Sequence, residues 1–371
     1  MIEAVDVTKD LIQYNSISAN SNVSIADCLD ERLKSLDFTV ERIVYRDAAG
    51  VEKVSLVARK GRGRGGLALL GHCDTVPADG WEFDPFRAVI RGDKLYGRGS
   101  CDMKGALACM LAAAEPYRLS DLKAPLYILF TSDEEVGCTG AKMIDQRSKL
   151  YNQSDVRYGV IGEPTNMEVI HAHKGAVSIR AVARGRAAHS STGKGINANL
   201  TMIPFLVEMK AIYEELTTDP RHGNADFDPP YSDWNIGIND GGTQMNVTAP
   251  LSVCTVNYRP MPGQDERALF QRVRDAARRC GVDVDIHRLG GPFLTPIQSE
   301  VVQASLTAAG RRKAKTVPYG TDGLVFCSRM ELVVLGPGDI KQAHTIDEWV
   351  KLEQLDRAVQ VYRNLIERFC V

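Results

Sequence analysis

The chain has 371 residues, of which 44% are hydrophobic and 25% charged, with a formal net charge of −2. That balance is ordinary for a globular protein, and it excludes the basic footprint of a nucleic-acid binder and the bias of an acidic solvating tail. The length exceeds what one hydrophobic core usually covers, so two domains are expected.

Near the start, Ile25, Leu29, Leu33 and Leu36 share one face of an amphipathic helix. Strand-like runs follow at 39–45, 54–58 and 67–70, and Gly61-Arg62-Gly63-Arg64-Gly65-Gly66 reads as a turn between the last two. A long irregular stretch rich in Gly, Pro and Asp then leads from His72 to Ser100. The next helix turns Met103, Leu107, Met110 and Leu111 inward and stops at Pro116. The near-continuous apolar run 126–130 has the character of a strand buried on both faces of a parallel sheet, and 157–161 is another short strand. The pattern changes near His173: strand 177–183, helix 196–216, an irregular loop at 219–233, strand 251–258, helix 265–280 and strand 282–286. A helix at 300–309, a strand at 332–335 and a closing helix at 352–369 then resume the first pattern. The expected fold is α/β, a mixed, mostly parallel sheet covered by helices. It is formed by residues 1–173 and 289–371, with an α+β domain inserted at 174–288.

Nine cysteines fit no closed disulfide framework, and no Cys-x-x-Cys pair suggests a thiolate zinc site. Free thiols at this density, an N-terminus too polar for a signal peptide and no apolar run long enough to span a bilayer lead to an expectation of the cytoplasm, with no membrane partner. The clusters Arg59-Lys60 with Arg62 and Arg64, and Arg311-Arg312-Lys313 with Lys315, read as solvated turns or helix ends. Gly97-Arg98-Gly99 lacks the continuation that a phosphate-binding loop needs, and no Gly-x-Ser-x-Gly is present.

Several acids and histidines share one context. His72 follows strand 67–70, Glu134 and Glu135 follow strand 126–130, Glu163 follows strand 157–161, and His344 lies in the loop after strand 332–335. Asp102 opens the helix near Met103. In open α/β sheets, ligands bind beyond the carboxyl ends of the strands, so these side chains converge on one rim. Two imidazoles and three carboxylates suit Zn²⁺, Co²⁺ or Mn²⁺, and a carboxylate such as Asp102 can bridge two ions about 3.5–4 Å apart. Asp74, two residues after His72, would face the same side of an extended chain and can fix the imidazole tautomer. Cys73 and Cys101 adjoin these positions but should point away from them, and Lys104 reads as solvent-facing. His171 and His173 read as strand residues, and His222 and His287 as structural or solvent-facing.

Six stretches carry a resemblance. They are Gly71-His72-Cys73-Asp74-Thr75-Val76-Pro77, Gly97-Arg98-Gly99-Ser100-Cys101-Asp102-Met103-Lys104-Gly105, Asp133-Glu134-Glu135, Gly162-Glu163-Pro164-Thr165, the segment 185–190 containing His189, and Leu335-Gly336-Pro337-Gly338 leading to Ala343-His344. In this order and over nearly the whole chain, they resemble the metallohydrolase family that includes acetylornithine deacetylase, succinyl-diaminopimelate desuccinylase, aminoacylase and carboxypeptidase G. The resemblance implies a zinc aminopeptidase-like catalytic domain with an inserted dimerisation or lid domain. It also implies two divalent ions, Zn²⁺ or Co²⁺. His72 and Glu163 would hold one ion and Glu135 and His344 the other, with Asp102 bridging and Asp74 orienting His72. Glu134 would be the general base, and His189 would reach across a homodimer to the oxyanion. Asn246, Arg259 and Asp322 would contact a small N-acyl amino acid substrate. Ile161-Gly162-Glu163-Pro164-Thr165, His171-Ala172-His173-Lys174-Gly175 and Val334-Leu335-Gly336-Pro337-Gly338-Asp339-Ile340 are similar to the acetylornithine deacetylase branch. Tyr319-Gly320-Thr321-Asp322-Gly323 and Val136-Gly137-Cys138 have the form general to the family, which keeps a desuccinylase or a metallo-di- or carboxypeptidase as the alternative.

Overall fold

Every residue of the strand Leu126–Thr131 is buried, as its unbroken apolar run requires of a strand covered on both faces. In the computed structural model, which describes residues 2–371, this strand runs parallel to Leu67–His72, from Leu67 opposite Leu126 to His72 opposite Thr131. Leu67–His72 runs parallel to Tyr158–Ile161, and that strand to Glu331–Val334. Antiparallel strands extend the sheet: Glu52–Lys60 and then Thr39–Arg46 beyond Leu126–Thr131, and Ile170–His173 beyond Glu331–Val334. The four central strands are parallel, so their carboxyl ends open on one edge, and the loops that follow them meet there.

The helix Lys104–Ala114 is buried at every position. It packs on the strand Leu67–His72 and is enclosed by the helices Ala4–Ile12 and Leu352–Cys370. This all-round burial suits its run of Ala, Gly, Cys, Leu and Met.

The chain divides into two compact units. The first combines the chain up to Ala172 with Leu294–Lys315 and Thr321–Val371; the second combines His173–Phe293 with Thr316–Gly320. The second unit has a four-stranded antiparallel sheet in the order Asp233–Asn239, Leu251–Arg259, Ala176–Arg184, Asp283–Gly290. The helices Ala198–Thr218 and Glu266–Cys280 share an apolar cluster with it that includes Ile179, Phe205, Trp234, Val256 and Val273. Asn197 and Asp265 cap these helices, Asn197 accepting from Asn199 N and Asp265 from Arg267 N and Ala268 N.

The structure adds to the expected elements, among others with the helices Ala4–Ile12 and Thr139–Arg147. The stretch before Ser100 contains a hairpin, Val89–Arg91 with Lys94–Tyr96, to which Trp349–Lys351 adds a third antiparallel strand. The loop expected at 219–233 leads into the strand Asp233–Asn239, an edge strand that the sequence reading omits. All nine cysteines are free. Among the described residues, no helix is long and apolar enough to cross a membrane.

Candidate metal centre

His72 closes its strand and is almost fully buried. Its Nε2 lies 3.0 Å from Asp102 Oδ1 and 3.5 Å from Glu163 Oε1. The other oxygen of Asp102, Oδ2, lies 3.4 Å from His344 Nε2, which is 3.1 Å from Glu135 Oε2. Two donor groups result, His72–Asp102–Glu163 and Asp102–Glu135–His344, each with its donor atoms within 4.8 Å of one another. Asp102 belongs to both.

The donor set fits divalent cations. Imidazole and carboxylate atoms at this spacing match metal–ligand bonds of about 2.0–2.2 Å. The electrostatics point the same way. Burial and the nearby Asp102 charge push the Glu163 carboxyl well above its usual range, and Glu135 is raised for the same two reasons. Burial opposes a charged His72, but Glu163, Asp102 and Asp74 outweigh it and hold the imidazolium form well above its ordinary pKa. Asp102 is also penalised by burial, yet hydrogen bonds from His344 and His72 hold it below the usual carboxylate range. Three carboxylates crowded into one buried space repel one another, and bound cations would remove that repulsion.

The supporting contacts explain how the loops hold this arrangement. His72 Nδ1 pairs at 3.0 Å with the backbone carbonyl of Asp74, and the Asp74 carboxylate stands further off at 3.6 Å. That carboxylate accepts from Ser18 Oγ at 2.7 Å and from the backbone N–H groups of Glu134 at 3.1 Å and Glu135 at 3.4 Å. Asp74 thus fixes the imidazole through its main chain and the acidic turn through its side chain. Asp133 precedes that turn in the left-handed region, with φ 56°. Its carboxylate accepts from Tyr45 Oη at 2.8 Å and lies 3.0 Å from the buried Lys53 ammonium. His344 also has positive φ, 65°, a backbone strain of the kind that gathers at functional sites.

Glu134 is half-buried and stands with Cys138 and Asp322 in a third group. Burial pushes its carboxyl well above the usual range; His72 opposes this, and Asp322 and Glu135 add to it. Asp322 is 2% exposed, and its Oδ2 accepts from Thr131 Oγ1 at 2.5 Å. Burial raises its carboxyl to about 6.

The remaining site candidates lie in the second unit. His189 is exposed, and its Nδ1 accepts from Ser191 N at 3.3 Å. A bridge between His189 and Val247, and a bond from Ser190 N to the Asn246 carbonyl at 2.9 Å, bring His189 and Asn246 together. Arg259 ends the strand Leu251–Arg259, opposite Asp233.

Other residues differ from expectation or escaped it. Lys104 is fully buried rather than solvent-facing, with Nζ donating to the Tyr14 carbonyl at 2.8 Å. Cys101 and Cys73, in contrast, turn from the metal centre as expected: Cys101 donates to the Asp339 carbonyl, and Cys73 accepts from Asn22. Lys53 and Glu348 support the site from positions where no motif marks them. Gly336 packs so closely on the ligand-bearing turn that a Cβ there would stand 2.0 Å from the Gly162 carbonyl oxygen.

Comparison with known proteins identifies the family. Residues 68–368 match peptidase family M20/M25/M40. The chain is 34% identical to an acetylornithine deacetylase of Myxococcus xanthus, over 97% of this chain and 96% of the relative. It is 33% identical to an acetylornithine deacetylase of Proteus mirabilis, over 99% and 97%. Among solved structures, an M20 family metallo-carboxypeptidase from Sulfolobus solfataricus shares the fold with a TM-score of 0.78 at 18% identity, covering 99% of each chain. A dinuclear metal-binding peptidase of the M20 family from Bacillus subtilis does so with a TM-score of 0.68 at 15% identity, over 98% and 97%. With the family matched over most of its length and close relatives spanning nearly all of it, the chain belongs to peptidase family M20/M25/M40 and is a metal-dependent hydrolase of amide bonds.

Proposed function

We propose that the protein is a two-ion deacylase that converts N2-acetyl-L-ornithine to L-ornithine and acetate. One observation carries the two-ion reading: Asp102 offers one oxygen to each of two donor groups. The substrate follows from the relatives at 33–34% identity, which are named acetylornithine deacetylases. His72 and Glu163 would hold one ion and Glu135 and His344 the other, with Asp102 common to both; the imidazole and carboxylate donors suit Zn²⁺ or Co²⁺. Two such cations supply Lewis acidity toward the acyl carbonyl and the attacking water.

The protein's own groups handle the proton and the substrate. Glu134 takes a proton from the water that attacks the acetyl carbonyl, then delivers it to the departing amine nitrogen. Its raised pKa suits a group that must hold that proton between the two steps. His189 donates to the oxygen that gains charge, and its role requires a second copy of the chain. The Arg259 guanidinium offers two parallel donors to the substrate carboxylate, and Asn246 adds a polar contact. Asp322, which stands beside Glu134, adds a further contact to the substrate, since Thr131 occupies only one of its oxygens. A homodimer is supported by the exposed apolar side chains Leu200, Ile203 and Val207 on the helix Ala198–Thr218 and by the free edge of Asp233–Asn239. Nine free thiols suit a reducing compartment, the cytoplasm.

A substrate panel tests the reading. Protein reconstituted with Zn²⁺ or Co²⁺ is assayed on acetylornithine, acetylcitrulline, acetylglutamate, acetylmethionine, succinyl-diaminopimelate and simple dipeptides. Acetylornithine should give the highest kcat/KM, and chelation should abolish the activity. Preference for the succinyl substrate or for dipeptides would overturn the substrate, and indifference to chelators would overturn the mechanism.

A further inference from the structure

Glu348 is completely buried, yet it lies outside both donor groups. Its carboxylate is satisfied on both oxygens. Oε1 accepts from Cys101 N at 2.8 Å and from Asp102 N at 2.9 Å. Oε2 accepts from Gly99 N at 2.9 Å and from Arg98 Nη1 at 2.7 Å. Three of the four donors are thus backbone N–H groups of the loop that ends at Asp102. A second tie comes from the main chain, where Gly97 N donates to the Glu348 carbonyl at 3.1 Å. The Arg98 guanidinium reaches onward to the Pro77 carbonyl at 3.0 Å, in the loop that follows His72 and Asp74.

The place of Glu348 in the chain adds to this. It directly precedes Trp349–Lys351, whose pairing opposite Lys94–Tyr96 sets Glu348 against the Gly97–Asp102 loop. It also follows His344 by four residues. One short segment therefore carries a donor of the second group and the clamp on the residue common to both.

We propose that Glu348 is a positioning residue for the metal centre: its buried carboxylate grips the Gly99–Asp102 backbone and so sets where the Asp102 side chain stands. A carboxylate is needed, because only a group with acceptors alone can meet four donors at once. Glutamine has the same shape but would turn an NH₂ group toward N–H donors, leaving buried donors unpaired. The role rests on the reading that Asp102 serves both ions. Loss of such an outer partner typically costs about 10–100-fold in metal affinity.

The test compares the wild type with Glu348→Gln, Arg98→Met and Asp102→Asn. Each protein is stripped with a chelator, its thermal unfolding is recorded, and Co²⁺ is titrated in while the visible d–d absorption is followed. Values of kcat and KM are then measured at saturating Co²⁺. Glu348→Gln should bind Co²⁺ about 10–100-fold more weakly, give an altered absorption band at saturation, and lose kcat with KM near the wild-type value. Wild-type affinity and spectrum in Glu348→Gln would overturn the proposal, and so would lowered melting with unchanged affinity, the mark of a purely structural ion pair. If Glu348→Gln does not fold, Arg98→Met carries the test: it leaves the Oε1 contacts in place and should weaken Co²⁺ binding to a smaller degree, and unchanged binding would overturn the proposal. Should Asp102→Asn bind two Co²⁺ as tightly as the wild type, the shared-ligand reading fails instead.

Discussion

Glu134 and Glu135 are neighbours in sequence, and the structure gives them different surroundings. Glu135 meets His344 and shares the second donor group with Asp102. Glu134 belongs to neither donor group of the metal centre; it stands beside Asp322 and Cys138, with its backbone N–H held by Asp74. A carboxylate free of the proposed ligand sets can exchange a proton with water and with a leaving amine. Glu134→Gln should therefore retain both ions while kcat falls by about 10²–10⁴-fold. Metal analysis of the purified variant beside steady-state kinetics checks this, and near-normal turnover would remove Glu134 from the base role. His72, Glu135, Glu163 and His344 were legible in the sequence because each follows an apolar run that announces a strand, and Asp102 because it opens an apolar helix. Lys53 and Glu348 were not. The run Asp347-Glu348-Trp349 reads as a polar loop, and the burial of Glu348 depends on strand pairing with Lys94–Tyr96, far away in the chain. Lys104 misled for a related reason: its helix is covered on all sides by elements from both ends of the chain, so no face was left for solvent.

At the scale of elements, the turn that carries Glu163 depends on close contact between two backbones. Gly162 follows the strand Tyr158–Ile161, and Gly336 follows the neighbouring parallel strand Glu331–Val334. The Thr165 and Met167 N–H groups donate to the Gly336 carbonyl at 3.2 Å and 3.1 Å, locking the two turns together. The obstacle to any side chain at Gly336 is the backbone of Gly162 and Glu163, not the end of a flexible side chain. Gly336→Ala should therefore push the turns apart and cost about 1–3 kcal/mol, with weaker metal binding because Glu163 moves with its turn. Thermal unfolding of apo protein and metal titration read the two effects separately; wild-type values in both would mean that the contact relaxes without consequence. The central strands were readable from apolar runs, and the long helices from their periodicity. The three-residue strands Val89–Arg91, Lys94–Tyr96 and Trp349–Lys351 are too short to show alternation. Asp233–Asn239 contains a glycine and leaves much of its length exposed at a sheet edge, which blurs its pattern.

At the scale of the whole molecule, the second unit exposes an apolar stripe next to a sheet edge. Leu200, Ile203 and Val207 are spaced three and four residues apart on one stripe of the helix Ala198–Thr218, at 66%, 50% and 64% exposure. Asp233–Asn239, which packs with that helix, is an edge strand with Ile238 also exposed. An apolar stripe beside an unpaired strand edge suits a two-fold contact in which the same patch meets itself. His189 and Asn246 belong to this same unit, whereas Glu134 and the donor groups belong to the first. If His189 serves the partner's metal centre, one inactive chain can repair another. Glu134→Ala lacks the base but keeps His189; His189→Ala lacks the histidine but keeps a complete base and metal centre. Each should be nearly inactive alone. After subunit exchange, half of the dimers are mixed, and each mixed dimer has one site with both groups, so activity should return to about a quarter of the wild-type rate. Val207→Asp placed in both chains should block the recovery by preventing assembly, and sedimentation would show the monomer. Exchange demonstrated by labelled subunits, with no return of activity, would place His189 in its own chain's site or outside the reaction.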